Sequence, residues 1–123
     1  MLYSSKLKVL VRNPARNAVL GQSVDVADTS AKRRTGLLGR QRLEPGEGLW
    51  ISPCESVHTF FMKFPIDLIY MDKSRKVRKV RHAVPPWRLS MCLTAHSILE
   101  FPAGTAKQTG TIAGDILVIE EVG

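Results

Sequence analysis

The apolar residues of this chain fall in short runs, each cut within a few positions by a proline, a glycine or a charged turn. That punctuation leaves room for many short strands and little helix. Residues 6–13 (Lys-Leu-Lys-Val-Leu-Val-Arg-Asn) alternate well enough for a strand, with Pro14 as the stop. Residues 17–26 read as a second strand interrupted at Gly21-Gln22, so the opening resembles a hairpin followed by a longer strand. Asp28, Thr29 and Ser30 then offer capping oxygens to a short helix over residues 30–38, closed by Gly39. Lys32, Arg33 and Arg34 in its first turn oppose the helix dipole, so Leu37 and Leu38 must hold it by packing.

Residues 44–48 are a turn by composition, and residues 48–51 a short buried strand. Residues 57–62 and 66–71 read as two strands parted by residues 63–65. A turn at residues 72–75 leads into residues 76–82, which pair back on 66–71 as a hairpin. The proline-broken stretch 84–88 is a loop, and residues 97–101 and 116–122 are late strands with one helical turn at 105–109 between them. The expectation is a mainly β, β-rich α+β domain over residues 1–123. It would be a compact barrel-like sheet of short strands with one short helix, closed by the Gly114-Asp115 turn and the final strand.

Composition narrows the class. A chain of 123 residues suits one domain. With 44% hydrophobic and 24% charged residues it is globular rather than disordered. A domain this size buries enough surface to fold without a disulfide or a metal. No apolar run approaches the roughly 18 residues of a membrane span. Lys6, Lys8 and Arg12 interrupt the opening residues where a secretion signal would lie, so a cytoplasmic location with reduced cysteines is expected. The formal charge of +7 favours anionic partners by long-range attraction, which concerns association rather than fold.

Residues 54–70 carry the candidate chemistry, because Cys54, His58 and Asp67 are planted in an otherwise apolar stretch. A buried polar group left unpaired costs roughly 1–3 kcal/mol, so each needs a partner or a task. Cys54, His58 and Cys92, with Asp67 or a water, are the candidate metal ligands. On a straight strand, however, Cys54 and His58 would stand roughly 13 Å apart, and their spacing lacks paired Cys-x-x-Cys logic. Two buried thiols acting as small apolar residues are the plainer reading, and a Cys54–Cys92 disulfide is the alternative in an oxidising compartment. His58 held by Asp67 or Asp72 could act as a general base, or deprotonate Cys54 for nucleophilic attack. Against this, a carboxylate at the start of a strand often accepts backbone N–H bonds from a neighbouring loop. That structural reading is favoured for Asp67, because buried polar groups are usually simply satisfied.

The ribbon at residues 73–82 has no clean apolar face and reads as an exposed or edge strand, where charge opposes sheet-to-sheet aggregation. Its sharper reading is a single-stranded nucleic-acid groove. Arg75, Lys76, Arg78, Lys79 and Arg81 would join Trp87 and Arg88, with Arg33, Arg34, Arg40 and Arg42 from the helix region. Trp87, between Pro86 and Arg88, is also a candidate partner or ligand contact.

Several separated pieces carry a family likeness. They are Arg34-Thr35-Gly36-Leu37-Leu38, Gly48-Leu49-Trp50-Ile51, His58-Thr59-Phe60-Phe61-Met62 and Ile66-Asp67-Leu68-Ile69-Tyr70-Met71-Asp72. Pro85-Pro86, Leu99-Glu100-Phe101-Pro102-Ala103-Gly104 and Gly114-Asp115 follow in order. From about residue 25 to 118 the chain resembles the prokaryotic family of domains of unknown function 192. The resemblance implies a compact, strand-rich, barrel-like fold and brings no agreed catalytic residues. Some members of that family carry an N-terminal secretion signal or lipid-attachment segment.

Together these readings describe a non-enzymatic accessory or ligand- and partner-binding domain. Its polar site would form where His58, Asp67, Cys92 and the loop of residues 84–92 converge. A small metal- or thiol-dependent hydrolase centred on Cys54, His58 and Asp67 is one alternative, and a nucleic-acid module using the basic strand 75–81 is another. No cofactor is expected, with zinc as the exception to watch. The partner expected is an unidentified protein or small molecule, without a membrane span.

Overall fold

A computed structural model describes residues 7–122. Lys6 of the first expected strand, and the reading of the opening residues as free of a secretion signal, therefore lie outside the described residues. Among the described residues nine strands and two short α-helices follow in order. They are β1 (Lys8–Asn13), β2 (Ala18–Ala27), α1 (Ser30–Thr35), β3 (Glu47–Ile51), β4 (Ser56–His58) and β5 (Ile66–Met71), then β6 (Val77–Val84), β7 (Leu89–Met91), β8 (Ser97–Pro102), α2 (Thr105–Thr109) and β9 (Val118–Val122). Seven strands form one mixed sheet in the order β6-β5-β8-β3-β2-β1-β9, and β4 pairs with β7 as a separate ribbon.

The protein is mainly β, as expected, but the sheet is not a closed barrel. Among the described residues its two edges are joined by one isolated antiparallel bridge, between Lys76 and Ile116. Around it, Val77 N–H donates to the Asp115 carbonyl at 2.7 Å and Gly114 N–H to the Val77 carbonyl at 2.8 Å. The Gly114-Asp115 turn thus touches the opposite edge without building a ladder across it. Asp115 is held there by the Arg16 guanidinium, the Asn13 amide and the Ile112 N–H. The hydrogen bond from Arg16 is the main reason its carboxyl is lowered to about 2.

Other differences have local causes. Gly21-Gln22 does not break β2. The register against β1 shifts there, and the N–H groups of Gln22 and Ser23 both donate to the Gly46 carbonyl at 2.9 Å. An extra residue is absorbed as a bulge. Helix α1 is shorter than expected and stops at Gly36 (φ 50°), while Thr29 caps its start by accepting from Lys32 N–H. Leu37 then packs into the core, as the weak helix requires. The strand expected at 57–62 ends at His58, because Thr59 to Met62 turn, with Phe61 at φ 66°. The 105–109 turn is a second short helix, α2.

Every residue of β5 is buried, which requires cover on both faces. Side chains alternate along a strand. Ile69 and Met71 enter a core with Leu99, Phe101 and Val24, whereas Ile66, Leu68 and Tyr70 enter a second core with Ile98, Leu49 and Leu37. Gly48 and Gly21 face the Phe101 ring. A Cβ on Gly48 would stand 2.6 Å from two ring carbons and 2.9 Å from the Glu100 carbonyl. Gly48→Ala is therefore expected to cost about 1–3 kcal/mol by overpacking, read from urea unfolding. An unchanged midpoint would show that the Phe101 ring can move aside.

Candidate ligand pocket

The second core is incompletely covered where α1 and its Gly36-Leu37-Leu38 exit lie over β3, β4 and β8. The gap is a pocket of about 450 Å³, lined by Arg33, Arg34, Cys54, His58, Met62 and Glu100 among others. That volume lies in the range of small-molecule sites. Glu100 shares a sheet face with Ile98 and pairs in register with Leu49 and Leu68. It is 5% exposed. Its carboxyl has no hydrogen bond or ion pair among the described residues. Burial alone raises it from 4.5 to about 7.

The other lining groups are more ordinary. The Cys54 thiol donates to the Ser56 carbonyl at 3.1 Å. Desolvation, the largest influence on it, pushes its pKa up, away from a reactive thiolate. His58 is exposed, accepts the Phe60 N–H on Nδ1 at 3.2 Å and stacks on the Phe60 ring at 4.9 Å. On α1, the Arg33 guanidinium reaches the Asp28 carbonyl and the Ser30 hydroxyl. Arg34 is exposed and its guanidinium makes no hydrogen bond or ion pair among the described residues.

The residues singled out in the sequence distribute unevenly. Cys54 and His58 share the pocket wall. Cys92 arrives nearby, its N–H donating to the Glu55 carbonyl at 2.9 Å, and its thiol lies 3.3 Å from the Thr94 hydroxyl. Both cysteines are free thiols packed against the second core. Among the described residues, no three His, Cys, Asp or Glu side chains are grouped to hold a metal ion. Asp67 is not brought to this pocket. It alternates with Leu68 toward the first core and is fully buried, accepting Ala83 N–H and Ala106 N–H at 2.8 Å each. Asp72 caps its own turn, accepting from Ser74 and Lys76.

Residues 84–92, expected as a loop, include the end of β6 and all of β7, and β7 lies beside His58 because it pairs with β4 through His58 and Leu89. Buried Thr59 ties the two loops together. Its N–H donates to the Arg88 carbonyl, its carbonyl accepts Trp87 N–H, and its hydroxyl donates to Pro85. Trp87 is 57% exposed and its ring meets Phe61 edge-on at 4.7 Å. The Arg88 guanidinium lies 3.4 Å from the Pro86 and Trp87 carbonyls. Along the basic strand, Arg75 stacks over Trp50, Arg78 pairs with Asp72, Lys79 donates to the Met91 carbonyl and Arg81 to the Ser90 hydroxyl. Arg40 and Arg42 pair with Glu47 and Glu44.

Sequence reasoning missed Glu100 as a site residue. The signal was present, since Glu100 interrupts the apolar run Ile98-Leu99-Phe101 much as Asp67 interrupts 66–71. What the sequence did not show is that Asp67 finds two backbone donors and Glu100 finds none.

Fold and pocket together define a small, mainly β domain with an acid-floored pocket beside its sheet. The chain belongs to the DUF192 family, described as "Uncharacterized ACR, COG1430", and matches it over residues 11–119. A UPF0127 protein of Thermococcus sibiricus is 34% identical over 112 residues, covering 84% of this chain and 70% of the relative. One from Pyrococcus abyssi is 30% identical over 113 residues, covering 86% and 93%. A crystal structure of a protein of unknown function from Novosphingobium aromaticivorans superposes with a TM-score of 0.78 at 22% identity, covering 90% of this chain and 83% of that one. This last likeness is one of fold. None of these proteins is named for an activity. No helix among the described residues is long and apolar enough to cross a membrane.

Proposed function

We propose that this chain is a non-enzymatic binding domain whose small-molecule ligand enters the pocket beneath α1. The unpartnered carboxyl of Glu100 carries the reading. A buried ionisable group without a hydrogen-bond partner is costly, and a bound ligand supplies the missing partner. Cys54 and His58 support binding over catalysis, because the thiol is raised rather than lowered and is tied to the Ser56 carbonyl. The hydrolase alternative needs Asp67 beside them, and Asp67 is occupied on the other face. The nucleic-acid alternative has less support, because Arg78, Arg40 and Arg42 are already paired with Asp72, Glu47 and Glu44.

A fragment screen by protein-observed NMR checks the proposal. Neutral and charged compounds are expected to perturb Arg34, Cys54, His58 and Glu100 first, with no compound consumed over hours. Turnover of any compound, abolished in His58→Ala, would replace the reading with an enzymatic one. Perturbations confined to residues 75–81 would favour the basic strand instead.

A further inference from the structure

We propose that the ligand is a small zwitterion, with a cationic N–H end seated on Glu100 and a carboxylate or phosphate end held by Arg34. The inference rests on the ligand-binding reading and adds the chemistry of the ligand. The pocket holds an acid, Glu100, and a guanidinium, Arg34, whose side chains have no hydrogen-bond or ion-pair partner among the described residues. Glu100 lies on the buried strand side, while Arg34 stands on α1 and is exposed. A molecule that satisfies both must bring N–H donors inward and an anion outward. Hydrogen bonds to ionised partners are the strong ones, and a guanidinium fork fits a carboxylate with two parallel bonds. Arg33 does not replace the ligand at Glu100, because its guanidinium is turned to the Asp28 carbonyl and the Ser30 hydroxyl. Ile51, Val57, Leu37 and Met62 give part of the wall an apolar surface that suits the short methylene chain of such a molecule.

Three probes separate the two ends: 4-guanidinobutyrate carries both, butylguanidine only the cation, and butyrate only the anion. By calorimetry near neutral pH, 4-guanidinobutyrate is expected to bind roughly tenfold or more tightly than either single-ended probe, as one further charge-assisted contact implies. Glu100→Gln should weaken both guanidinium probes roughly tenfold and leave butyrate unchanged. Arg34→Gln should weaken 4-guanidinobutyrate and butyrate and leave butylguanidine unchanged. Thermal unfolding of each variant confirms that the fold persists. Equal affinity for the three probes, or indifference of binding to both substitutions, would overturn the assignment. Neutral apolar fragments occupying the pocket while all three probes fail would overturn the ligand class but keep the ligand-binding reading. Failure of probes and neutral fragments alike would remove both.

Discussion

Glu100→Gln is expected to make the protein more stable than the parent at about pH 8 and to remove a pH dependence that the parent shows. In the folded protein burial raises this carboxyl from 4.5 to about 7. Between those values the folded chain keeps a proton that the unfolded chain has released. Linkage then lowers stability as the pH rises. The contribution of the protonated form is complete below pH 4.5 and lost as pH passes 7. At 1.36 kcal/mol per pH unit the full difference is about 3 kcal/mol. Urea unfolding of both proteins between about pH 4 and 8 reads it directly. The difference between parent and variant should widen with pH and then level off. A constant difference would mean that Glu100 has a partner in solution, and the proposed site would lose its main support. The destabilising acid is the expected signature of a site kept at the expense of stability.

Asp67→Ala is expected to act in the opposite sense and to be among the most damaging single changes outside the hydrophobic cores. Its carboxylate accepts Ala83 N–H from the end of β6 and Ala106 N–H from the start of α2. Removing it leaves the Ala106 donor inside the protein, since Ala106 is 1% exposed, whereas Ala83 can turn to water. An orphaned buried donor plus the vacated space predicts a loss of about 3 kcal/mol. For a domain of this size that is a fall in Tm of roughly 10 °C. Asp67→Asn should recover part of it, because an amide oxygen can still accept one of the two bonds. Full stability with lost binding of a pocket ligand would instead return Asp67 to the functional site.

These two carboxylates show how far the sequence could be read. Most strand positions, the proline stop after β1 and the weak helix needing Leu37 follow from local rules, because each depends on neighbours a few residues away, whereas β7, which pairs with distant β4, was not read. The exceptions are places where distant backbone intervened. Gly46 rescued the N–H groups of the β2 bulge, and Thr59 held the 59–62 turn to the 85–88 loop. The shortfall in barrel closure is of the same kind, since one Lys76–Ile116 bridge depends on how far two edges curl.

By itself the sequence determined a mainly β domain of the DUF192 family and singled out Asp67 as a carboxylate in an apolar strand, while Glu100 passed unremarked. Only the tertiary structure decided which acid is structural and which is left for a ligand. Asp67 and Glu100 look alike in sequence, each a carboxylate in an apolar strand. Alternation sends them to opposite faces of adjacent strands, one toward the free N–H groups of α2 and β6, the other toward an open gap under α1. Hydrogen-bond satisfaction is a property of what lies across the sheet face, and that is assembled from segments far apart in the chain.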